Sequence, residues 1–118
     1  MSGRHRITVS RVYDTNPDDG ERLLVDRLWP RGFRKDDPRI DRWIRDVAPS
    51  TELRKWYSHQ ADRFDQFAAR YVAELDSARG AAAVQEIRDA VSNGPVTLVT
   101  ATRELHGSHV AVLVKLLT

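Results

Sequence analysis

Cysteine is absent from this 118-residue chain, which excludes disulfides, thiolate nucleophiles and cysteine–zinc sites together. Long apolar runs are absent too; none approaches the roughly 18–20 residues that cross a bilayer, so no membrane partner is expected. The short basic stretch Met1–Arg6 is not followed by an apolar segment of signal-peptide length, and the expected compartment is the cytoplasm. There is no GxxxxGK[ST] phosphate loop, no GxGxxG and no GxSxG nucleophile elbow, and Ser, Thr and His form no convincing triad. Lysine occurs only at positions 35, 55 and 115, and the net charge is +2. The pI of about 9.3 therefore reflects arginine in excess of lysine rather than a strong cationic field.

What remains is the composition of a globular protein, 41% hydrophobic and 31% charged, at a length that suits one domain over residues 1–118 with a single core. Charge is unevenly spread. Residues 1–60 carry 13 Lys and Arg against 10 Asp and Glu, whereas residues 61–118 carry 6 against 7. A local excess of this kind fits a small anion site better than a long nucleic-acid footprint, which needs a denser basic stripe.

Alternating Ile7–Tyr13 reads as a strand. Asp14–Gly20, containing Asn16-Pro17-Asp18-Asp19-Gly20, reads as a turn-rich loop. Leu23–Leu28 is the second strand; the loop before it is short for a full crossover, so the pattern does not exclude a hairpin. Asp36-Asp37-Pro38 reads as a helix start, with Ile40, Trp43, Ile44 and Val47 on one apolar face and Pro49 as the stop. Ser50 is a natural N-cap for a short helix. The stripe Phe64, Phe67, Ala68, Tyr71, Val72, Leu75 marks a longer one, and Val84, Ile87 and Val91 mark another, closed by Asn93-Gly94. Trp43, Trp56, Phe64, Phe67 and Tyr71 are expected to form core between helices. Val96–Ala101 suits a central strand covered on both faces, and a last helix runs from about Ser108 to Leu117. Repeats, low-complexity tracts and linkers are absent. The reading is one α/β domain.

The passage Leu24–Phe33 ends an apolar strand on Asp26-Arg27, turns at Trp29-Pro30 and continues with Arg31-Gly32. If the strands are parallel, a ligand would bind outside their carboxyl ends. That edge would gather Tyr13 and Asp14, Asp26, Arg27 and Arg31, then Thr100, Thr102, Arg103 and Glu104, with Ser108 and His109 opening the last helix. Arg27 and Arg31 would clamp an anion, since planar guanidinium groups suit phosphate or carboxylate. Thr100, Arg103 and Ser108 are further ligand-binding candidates, and His109 with Asp26 is a candidate pair for proton transfer. Each has a plain structural alternative: an Asp26–Arg27 ion pair, a packed Trp29-Pro30 corner, a Ser108 helix cap, a surface or capping His109. His106 and His109, three residues apart without a clear carboxylate partner, do not make a metal site, and no cofactor is expected. His5 and His59 read as surface residues. A second cluster, Ser50–Trp56, would place Arg54 and Lys55 beside a helix start as a phosphate site, or would be merely a capped surface helix.

The runs RVYD at residues 11–14, DGERLLVDRLWPRG at 19–32, APSTELRKWY at 48–57 and VTLVTATRELHGSHVAVLV at 96–114 resemble the YeaO-like branch of the domain of unknown function 488 family. The resemblance covers essentially the whole chain. It implies a compact, Rossmann-like α/β fold with a short, mainly parallel sheet and helices around it; it supplies no reaction, cofactor or catalytic residue. Two departures stand out. YeaO-like relatives tend to carry NHA at the start of the last helix, where this chain has Ser108-His109-Val110. Longer members carry cysteines where Thr100 and Ser108 stand here, so no thiol role transfers.

The resulting expectation is a cytoplasmic α/β protein, monomer or small homo-oligomer, that binds a small phosphorylated or carboxylated ligand at the strand edge, with enzymatic activity left open. The alternatives are a nucleic-acid-binding or regulatory module using the arginines of residues 22–55, and a protein-interaction domain without pocket chemistry.

Overall fold

Val96–Thr100 joins five apolar or β-branched residues in succession, and all five are buried. In the computed structural model, which describes residues 6–16, 20–58 and 60–118, this segment is an inner strand of the sheet, as its composition requires. In chain order the strands are β1 (Ile7–Arg11), β2 (Glu21–Leu24), β3 (Arg42–Trp43) and β4 (Val96–Thr100). Their spatial order is β1-β4-β2-β3 and every pairing is parallel. The hairpin left open by the sequence is not formed, because β4 lies between β1 and β2. Expected residues His5, His59 and Pro17–Asp19 lie outside the described residues.

The turn into β2 depends on Gly20. Its φ is +66°, and a Cβ there would sit 2.2 Å from the Pro95 carbonyl oxygen, so only glycine fits. Gly20 brings Glu21 N–H onto that same carbonyl at 3.1 Å and so sets the β2–β4 register.

Four helices follow the expected stripes: α1 (Thr51–Tyr57), α2 (Phe64–Leu75), α3 (Ala78–Asn93) and α4 (His109–Leu117). Ser50, Ser77 and Ser108 cap α1, α3 and α4, each hydroxyl accepting a backbone N–H. Gly94 ends α3 with an extended rather than left-handed backbone, φ 170°. Side chains alternate along the strands, so Leu23, Val25, Val96 and Leu98 join one core with residues of all four helices, including Phe67, Tyr71, Ile87 and Leu113. Leu24 and Val99 face the other way and join Val12 and Ile40 in a second, smaller core. Partly buried Trp29, Phe33 and Ala101 pack against it, so this face is covered largely by the irregular chain after β2.

The helix expected from Asp36 to Val47 does not form. Arg42 and Trp43 pair with Leu23 and Leu24 as the edge strand β3, and Arg45–Val47 is a single 3-10 turn. The reason lies in where the apolar residues go: Ile40 enters the small core whereas Ile44 and Val47 enter the large one. The segment passes around the sheet edge and serves both faces, which one helical stripe cannot do. Trp43 accordingly is exposed and lies outside the helical core, contrary to expectation; its indole N–H donates to the Asp26 carbonyl at 2.7 Å. Asp37 folds back as a local turn, accepting from the Arg39 backbone and pairing with its guanidinium at 2.7 Å. Asp36 is exposed beside Arg34, at 3.7 Å.

Candidate functional site

β2 stops where its sequence turns polar. Val25 still donates to the Val99 carbonyl, at 3.1 Å, and Asp26 then bends away. The Asp26 carboxylate bridges to the end of β4: Oδ1 accepts from the Thr100 hydroxyl at 2.6 Å and Oδ2 from the Ala101 N–H at 2.8 Å. His109, in the first turn of α4, places Nε2 2.9 Å from the Val25 carbonyl and 3.3 Å from Asp26 Oδ1. Both neighbours are acceptors, so Nε2 carries a hydrogen and donates it. Burial, the largest single influence, raises the Asp26 pKa. The His109 contact, the Thr100 hydroxyl and the Ala101 amide together outweigh it and hold the carboxyl below its usual range. The side chains of His109 and Asp26 are only 11% and 15% exposed.

Arg27 is similarly occupied. Its Nη2 donates to the Ala48 carbonyl at 2.9 Å and its Nε to the Pro49 carbonyl at 3.2 Å, which fixes the approach to α1. The two residues therefore act on different partners, and the structure shows no Asp26–Arg27 ion pair. Arg31 stands differently. Phe33 N–H reaches the Pro30 carbonyl at 3.2 Å across a turn whose third residue, Gly32, has φ +84°, as a type II turn requires. Arg31 is the second residue of that turn and is exposed. Trp29 packs edge-on against Trp43 and donates its indole N–H to the Phe33 carbonyl at 3.0 Å, bracing the same turn.

These segments enclose an open cleft of about 930 Å³ at the carboxyl edge of the sheet. Asp26, Arg27, Arg31, Ser108 and His109 all line it, together with Tyr13, Trp29 and Tyr57. Thr100 is fully buried beneath the lining, its hydroxyl engaged with Asp26. Arg103 is exposed and is not part of the lining. Ser108 accepts from the Val110 N–H and donates to the Leu105 carbonyl at 2.8 Å, so its hydroxyl is engaged within the chain. Tyr57 donates to the Gly107 carbonyl at 2.8 Å, and burial pushes its phenol up, keeping it a neutral donor.

Two further lining residues are Arg54 and Lys55 of α1, which sequence alone had placed in a separate cluster. Among the described residues, the charged ends of Arg31, Arg54 and Lys55 enter no ion pair and no side-chain hydrogen bond. Nothing in the spacing of positions 31, 54 and 55 announces that they meet; the usable signal was the basic pair four and five residues after the Ser50 cap. Among the described residues no group of three or more His, Asp or Glu side chains gathers as a metal site, and no helix is long and apolar enough to cross a membrane.

A four-stranded parallel sheet with helices around it and a cleft at its carboxyl edge defines a single-domain α/β protein. The chain belongs to the DUF488 family: residues 6–118 match the model described as the inactive DUF488-N3 subclade. It is 56% identical over 113 residues to an uncharacterised protein of Mycobacterium tuberculosis, covering 95% of this chain and 93% of the relative. The uncharacterised protein YeaO of Escherichia coli is 38% identical over 108 residues, covering 91% and 92%. No solved structure matches the chain.

Proposed function

We propose that this protein binds a small phosphorylated or carboxylated ligand in the cleft at the strand edge, and that it holds the ligand rather than transforming it. The observation that carries this reading is the set of three cationic side chains, Arg31, Arg54 and Lys55, which line one cleft without partners from the protein. Cations in a concave, partly apolar setting attract anions more strongly than the same charges on an open surface. The absence of turnover is supported by the groups that sequence reasoning assigned to proton transfer. Both Asp26 oxygens and His109 Nε2 are taken up in joining β2, β4 and α4. The description of the subclade as inactive agrees with that reading.

The nucleic-acid alternative is weakened by the ion pairs outside the cleft. Arg34 lies 3.7 Å from Asp36, Arg39 pairs with Asp37 at 2.7 Å, and Arg42 bridges Glu21 and Glu86 at 2.9 and 3.0 Å. A strand of phosphates would have to compete for these arginines.

The test is thermal denaturation with increasing pyrophosphate, since a ligand that binds only the native state raises Tm. Wild type and Arg79→Ala, an exposed arginine on α3 away from the lining, should show equal stabilisation. The triple variant Arg31→Ala, Arg54→Ala, Lys55→Ala should show none while unfolding cooperatively at an unchanged Tm without ligand. Equal stabilisation of the triple variant would overturn the proposal.

A further inference from the structure

Building on the anion-binding reading, we infer that the ligand class is a mononucleotide: an aromatic base carrying a chain of two or more phosphates. Inorganic phosphate would leave most of a cleft of about 930 Å³ empty, and such a volume lies in the range that encloses drug-sized molecules. Two aromatic side chains, Tyr13 after β1 and Trp29 after β2, line the same cleft as the cations. Both rings are held by edge-on partners: Tyr13 meets Phe33 with centroids 5.6 Å apart and Trp29 meets Trp43 at 5.5 Å. Tyr13 is 44% exposed, and the Arg11 guanidinium lies 5.2 Å from its ring centre, so a cation already sits over the ring. Fixed, partly uncovered rings are what a flat heterocycle stacks upon, and stacking tolerates any base.

The arrangement of charge points the same way. The cations come from two separate elements, the turn at residues 30–33 and helix α1, so they can contact successive anionic groups rather than one. Outside the cleft the neighbouring arginines are paired with Asp36, Asp37, Glu21 and Glu86, which favours a single nucleotide over a polymer needing a continuous basic track.

Isothermal titration calorimetry with ADP, GDP, CDP, UDP and pyrophosphate at matched ionic strength tests the inference on the full chain. At least one nucleoside diphosphate should bind about ten-fold more tightly than pyrophosphate. Tyr13→Ala should remove about that factor for the nucleotide and leave pyrophosphate affinity unchanged. Arg54→Ala with Lys55→Ala should weaken nucleotide and pyrophosphate alike. If pyrophosphate binds as tightly as every nucleotide, or Tyr13→Ala leaves nucleotide affinity unchanged, the nucleotide class is overturned while anion binding stands. If neither pyrophosphate nor any nucleotide binds, both readings fall.

Discussion

The floor of the cleft and its rim are built from the same kinds of charged residue and use them oppositely. On the floor, Asp26 and Arg27 spend their polar atoms on the protein: Thr100 and Ala101 for the carboxylate, Ala48 and Pro49 for the guanidinium. On the rim, Arg31, Arg54 and Lys55 make no such commitments. A charged residue at a strand edge is therefore not evidence of a ligand by itself. What separates the two sets is whether neighbouring backbone groups have already claimed the charge.

The contrast is broken most severely at Asp26. Asp26→Ala would orphan the Thr100 hydroxyl and the Ala101 N–H in a largely buried place, at a cost of about 3 kcal/mol. Urea unfolding measures it, and a loss below about 1 kcal/mol would mean that the floor is not held by this carboxylate. Arg27→Ala comes next, at about 2 kcal/mol, because the carbonyls of Ala48 and Pro49 lose their donor and the chain entering α1 loses its tether. Hence Arg27 is a poor residue on which to test binding: lost affinity in that variant could reflect a displaced α1.

A smaller effect concerns acid. Asp26 has a pKa below its usual value, so its unfolded form binds protons more readily than the native one. The stability it contributes is complete above the unfolded value, near 3.8, and is lost as pH falls through the lower native value. Asp37, whose pKa the Arg39 side chain and backbone hydrogen bonds lower to about 2, acts with the same sign. Wild-type Tm should therefore drop between about pH 4 and pH 2. Asp26→Asn should shrink that drop without removing it, since Asp37 still titrates; superimposable Tm–pH curves would show that Asp26 does not take part. The smallest change in stability belongs to the rim. Arg31→Ala should stay within about 0.5 kcal/mol of wild type in the same urea assay, as exposed substitutions usually do. A larger loss would give Arg31 a structural role and erase the distinction between floor and rim.

Sequence pattern revealed the helices whose apolar residues all serve one core and the inner strand that is buried on both faces. The stripe Phe67, Tyr71, Leu75 behaves as its spacing implies, and so does the unbroken run of β4. Pattern failed at Ile40, Ile44 and Val47, whose helical spacing is accidental because the first faces one core and the other two face another. The failure has a single origin: a periodicity shows that residues are apolar, not which side of a sheet will receive them. Arg22 was missed for a related reason. It is buried, and its guanidinium reaches the carbonyls of Arg39, Val12 and Asp14 at 2.6, 3.3 and 2.9 Å, tying together loops that are distant in sequence. Sequence placed Asp26, Arg27, Arg31, Ser108 and His109 at one strand edge, and all of them line the cleft; that Arg54 and Lys55 of α1 join them depended on a three-dimensional meeting that no local motif encodes.

The irregular chain after β2 covers the smaller core with Trp29 and Phe33 and, between them, holds Arg31 at the cleft. One short loop thus carries two obligations, and changes that alter its length or path would disturb both. Helix α1 carries its cations on exposed positions that the core does not use. Substitution among descendants of this fold should therefore accumulate at Arg54 and Lys55, while the loop around Arg31 changes slowly.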